Sequence, residues 1–77
     1  MKVSIHAAQR FLERVMSKSE YNYFDINLAI TYLEKLFKDV VITKKAAYFV
    51  VPGFEQYKAV YREDTIVTII PKGRHHV

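Results

Sequence analysis

The chain has 77 residues, 51% of them apolar, with 12 Lys plus Arg against 8 Asp plus Glu and no cysteine. That length holds one compact domain, residues 1–77, and the scarcity of Gly and Pro, two of each, excludes a disordered chain. The missing cysteines exclude a disulfide framework and a thiolate zinc site, while a formal charge of +4 favours polyanionic partners and disfavours DNA mimicry.

The opening MKVSIHAAQR meets charge and a histidine before any apolar run of signal-peptide length, and no stretch nears the roughly 18 apolar residues of a membrane span. A cytoplasmic location away from the membrane is therefore expected. The first helix is predicted at about residues 5 to 16, with Ser4 as its cap and Ile5, Ala8, Phe11, Leu12, Val15 and Met16 in one apolar stripe. An aromatic loop, SKSEYNYF, follows. Its Ser17-to-Glu20 spacing is that of a capping box, but the loop reading is preferred. The second helix is predicted at about 25 to 38, with Asp25 in capping position and Ile26, Ala29, Ile30, Leu33, Leu36 and Phe37 on one face.

After Asp39 the pattern becomes strand-like, with turn signals at Lys44-Lys45, Pro52-Gly53 and Glu63-Asp64. Four strands fit, at roughly 39 to 43, 46 to 51, 55 to 62 and 65 to 70, and their short links require antiparallel neighbours. The expected fold is α+β, order ααββββ: two N-terminal helices on one face of an antiparallel sheet of four strands, or three if one fails to form. The other sheet face must then stay exposed, curl over itself or meet a partner, which makes a homodimer one outcome.

Within the third strand Tyr57, Ala59 and Tyr61 project one way and Lys58, Val60 and Arg62 the other. Tyrosines on open water would form a stacking platform edged with cations and suited to unpaired bases; turned inward they are core aromatics with hydroxyls at the surface. On the first helix, His6, Arg10 and Arg14 recur at four-residue spacing. An imidazole and two guanidinium groups in a row can grip phosphate oxygens, and the same three residues also describe a solvated basic face.

The string H-A-x-x-R-x-x-E-R, here His6, Ala7, Arg10, Glu13 and Arg14, followed by a second helix and strands ending in TIVTII, resembles the small RelE-like toxin domains and their relatives. The order of elements agrees along the whole chain. The ending GRHHV resembles the family's Arg-x-His-aromatic close through Arg74 and His76, with Val77 where an aromatic is expected. The resemblance implies RNA or ribosome binding on the sheet side opposite the helices, an antitoxin or other protein partner, and metal-free cleavage by attack of the ribose 2′-hydroxyl on the adjacent phosphate. Such cleavage needs a base, an acid and fixed positive charge. The candidates are His6, Arg10, Arg14, Tyr61 and His76 for catalysis, and Lys58, Arg62, Tyr57, Lys72 and Arg74 for RNA contact.

No cofactor is called for. Adjacent His75 and His76 lack the spacing of a metal site, and there is neither a Gly-rich phosphate loop nor a G-x-S-x-G elbow. The competing class is a small non-catalytic binding or inhibitor protein, of the kind encoded by phages and mobile elements, that docks on a host or immune complex.

Overall fold

The structure, a computed structural model, describes residues 1–40 and 48–72. The expected strand at 39 to 43 lies largely outside the described residues, as do the Lys44-Lys45 turn and the start of the 46 to 51 strand. The fold is α+β, with two N-terminal helices packed against a four-stranded, mostly antiparallel sheet. Its strands are β1 (Lys2–Val3), β2 (Tyr48–Val51), β3 (Phe54–Arg62) and β4 (Thr65–Pro71), in spatial order β1-β4-β3-β2. The strand that pattern reading did not foresee is β1, which pairs with β4 in parallel, Lys2 with Thr65 and Val3 with Ile66. Parallel pairing is allowed here because both helices and two strands lie between the partners, far more than the dozen or so residues of a minimal crossover.

The first helix is α1 (Ile5–Arg10) continued by a π-helical turn, Phe11–Val15. Ser4 caps it as expected, its hydroxyl accepting the Ala7 N–H at 3.0 Å. The π turn is marked by the Met16 N–H donating to the Phe11 carbonyl, five residues back, at 3.1 Å. Ser17, at φ 57°, then ends the helix in the left-handed region, and the Lys18 N–H closes on the Leu12 carbonyl at 2.9 Å. The second helix, α2 (Tyr23–Leu36), begins two residues before the expected start. Its cap is Asn22, and Asp25 is the reciprocal partner in a capping box rather than the cap itself.

The buried core joins Val3, Ala7, Ala8, Phe11 and Leu12 to Ile26, Ala29, Leu33 and Phe37, and to Val51, Ala59, Ile66 and Ile69 of the sheet. No polar or charged side chain is buried among the described residues. At the C-terminal end of α2, Phe37 meets Phe49 edge-on at 5.4 Å between ring centroids. Pro52 and Gly53 turn β2 into β3, and Gly53, at φ 83°, supplies the left-handed residue the turn requires. Glu63 and Asp64, at φ 51° and 66°, form the two-residue β3–β4 connection, where positive φ at both positions matches the right-handed twist of the strands. No helix among the described residues is long and apolar enough to cross a membrane.

Candidate nucleic-acid interface

The two faces of the sheet follow from register and alternation. Ala59 pairs with Phe49 on one side and Ile69 on the other, and all three lie toward the helices, as do Val3 and Ile66. The alternate residues therefore line the face that the helices leave uncovered. Across it run three rows: Lys2, Thr65 and Arg62; Thr68, Val60 and Tyr48; and Ile70, Lys58 and Val50. An irregularity between Val60 and Tyr61, which leaves Val67 without a partner on β3, keeps both ends of β4 in this alternation. Lys72 follows β4, its N–H donating to the Gln56 carbonyl at 2.7 Å, and the same alternation brings it to this face.

The resulting surface is basic and partly apolar. Lys2, Lys58, Arg62 and Lys72 carry its charge, and no carboxylate belongs to the paired rows. Tyr48 is 50% exposed, and the Lys58 ammonium lies 4.3 Å from its ring centroid. That contact holds the cation above a ring whose flank still meets solvent. A surface of this kind binds phosphates by charge and offers one aromatic on which a base can stack.

The expected site residues divide between two places. Lys58, Arg62 and Lys72 come together on the open face. Tyr57 and Tyr61 do not join them: both pack against the core on the helix side. Of the two orientations open to these tyrosines, the inward one holds: no stacking platform forms from them on the open face, because Ala59 between them is wholly buried and alternation takes its neighbours inward with it. Tyr57 has a further task there, its hydroxyl donating to the Arg14 carbonyl at 2.8 Å. Such a carbonyl at a helix end has no intrahelical partner.

The helix candidates are also largely engaged. Arg14 donates to the Ile69 carbonyl of β4 at 2.6 Å. Arg10 forms an ion pair with Glu13, which also accepts from the Tyr21 hydroxyl. The Tyr21 hydroxyl, more than the Arg10 guanidinium, holds Glu13 below the usual carboxylate range, against an opposing desolvation cost, and Glu13 in turn raises Tyr21. His6 is exposed on α1. Arg74 and His76 lie outside the described residues. A scan against protein-family models and searches of curated proteins and of solved structures found no match for this chain.

Pattern reading missed two members of the open face. Tyr48 was legible in principle, since alternation along YFVV sets it opposite Phe49. Lys2 was not, because a two-residue strand has no periodicity to read. Among the described residues no group of three or more His, Asp or Glu side chains is placed to hold a metal ion.

Proposed function

We propose that this chain is an RNA-interacting protein of the RelE-like type it resembles, working in the cytoplasm and binding single-stranded RNA on its open sheet face. The observation that carries this reading is the gathering of Lys2, Lys58, Arg62 and Lys72 with the exposed Tyr48 on one uncovered surface. Cations there neutralise phosphates without regard to sequence, and the aromatic ring adds stacking to any base. Binding is better supported than cleavage, because Arg14 and Tyr57 are committed to backbone carbonyls and Arg10 to Glu13.

The test is fluorescence anisotropy with a short oligouridylate over a range of salt concentrations. The double variant Lys58→Gln/Arg62→Gln is expected to bind at least about tenfold more weakly, and its log–log salt slope to be shallower by about 1.4, at roughly 0.7 per cation for single strands. Equal affinity and slope in wild type and variant would remove RNA from this face and leave a protein-docking surface. Incubation with structured RNA in the presence of a chelator decides the catalytic extension: fragments ending in 2′,3′-cyclic phosphate, lost in His6→Gln, would establish metal-free cleavage.

A further inference from the structure

On the far side of the molecule from the open sheet face, α2 exposes an apolar ridge. Phe24, Leu28 and Tyr32 follow one another at four-residue spacing and are 66%, 54% and 46% exposed. That spacing stacks them along one side of the helix. Beside the ridge runs a groove of about 690 Å³ lined by Phe11, Leu12, Met16, Leu28, Tyr32 and Phe54, with Lys18 and Asp25 at its rim. With Met16 also 51% exposed, the uncovered apolar area is on the order of 500 Å², taking roughly 200 Å² for each large side chain. Patches of that size are the largest a typical monomer carries and are often functional.

We propose that the occupant is a second copy of this chain, the two α2 helices packing antiparallel about a twofold axis that passes between Leu28 and Tyr32. Ridge and groove lie side by side on one surface, so a single patch supplies both halves of the contact, as a twofold interface demands. Rotation about that axis sets Leu28 against the second copy's Tyr32 and Phe24 against its Leu36. The charges agree with this register. Asp25 in the first turn and Lys35 in the last are brought opposite each other twice, once at each end of the contact. Within one helix the two lie about 15 Å apart along the axis and cannot pair. Apolar area on the order of 500 Å² per copy, with the charged rim added, approaches the roughly 800 Å² per partner of a standard interface. Both open sheet faces stay uncovered in this dimer, at its two outer sides.

Sedimentation velocity on the full chain, from low to high micromolar, tests the dimer without reference to RNA. The mass is expected to rise from 9.1 kDa towards twice that value. Leu28→Glu, at an exposed position that leaves the core intact, is expected to stay monomeric throughout with an unchanged far-ultraviolet spectrum. Lys35→Glu, which faces Asp25 with a like charge, is expected to weaken dimerisation at least tenfold. A zero-length carbodiimide should join Asp25 of one copy to Lys35 of the other in the dimer band. A wild type that stays monomeric at high concentration, a dimer indifferent to both substitutions, or a cross-linked dimer without the Asp25–Lys35 amide would each overturn the proposal.

Discussion

The Arg14 guanidinium donates to the main-chain carbonyl of Ile69 across 2.6 Å, binding the end of the first helix to the middle of β4. β1 covers only Thr65 and Ile66 of that strand, so the edge of β4 beyond them has polar backbone groups that no strand among the described residues covers. Ser4 performs the same task one step earlier, its hydroxyl donating to the Val67 carbonyl at 3.2 Å. An uncovered edge is a template for pairing with another chain, and these two side chains of the first helix block it. The four-residue spacing of Arg10 and Arg14, which suggested a phosphate grip, is thus put to different uses at each position.

Replacing Arg14 by Met keeps the aliphatic stem and removes every donor. The Ile69 carbonyl then loses its partner, at a cost of about 1–2 kcal/mol. For a domain of this size the melting temperature should fall by about 4–8 °C per kcal/mol. Arg10→Gln should move it much less, since its pairing with Glu13 is exposed. Calorimetry on the two variants checks the order, and light scattering should find Arg14→Met the more prone to aggregate.

The tyrosines should separate by face. Tyr57→Phe loses the bond to the Arg14 carbonyl and should cost about 1 kcal/mol in urea unfolding with no change in RNA affinity. Tyr61→Phe keeps the ring packed against the core and should change neither. Tyr48→Ser should leave stability nearly unmoved and weaken oligouridylate binding by about 1–3 kcal/mol, the usual worth of one stacked base. Loss of binding in Tyr61→Phe instead would return the site to the helix side.

Among the described residues, three with side chains occupy the left-handed region, Ser17, Glu63 and Asp64. Ser17→Gly should raise stability by about 0.5–1 kcal/mol, because the left-handed conformation costs glycine nothing. Glu63→Asn/Asp64→Gly should act in the same direction, Asn-Gly being the preferred pair for a two-residue hairpin with positive φ at both positions. A fall in melting temperature in either variant would mean that these side chains make contacts that outweigh backbone strain.

The pair Glu13 and Tyr21 makes stability depend on pH at both extremes. Glu13 titrates below its ordinary value of 4.5 in the folded chain, so its contribution is complete above that value and is lost as pH falls through the depressed one. Tyr21 titrates above its ordinary 10.0, so its contribution is complete below that value and is lost as pH rises through the raised one. Tyr21→Phe should therefore melt below wild type at neutral pH and converge with it in acid. A constant offset from neutral to acid pH would show that the hydroxyl does not act through Glu13.

Much of this architecture is legible in the amino-acid order. The stripe from Ile5 to Val15 and the face from Ile26 to Phe37 are helical because their apolar residues recur at helical spacing, and Ser4 caps the first because its hydroxyl is placed to reach Ala7. Alternation and turn residues likewise set β3 and β4 as an antiparallel pair and separate Lys58 and Arg62 from Tyr57 and Tyr61. Alternation divides a strand into two faces but does not say which face the helices cover; packing against α1 decided that, and sent the tyrosines inward. Pairing of Lys2 and Val3 with β4, the use of Arg14 on Ile69 and of Tyr57 on Arg14 join residues more than forty positions apart. Local pattern determines which elements form, because propensity and periodicity act over a few residues. Only the folded chain decides which backbone groups those elements leave unpaired, and hence which side chains are held to satisfy them and which stay free to bind.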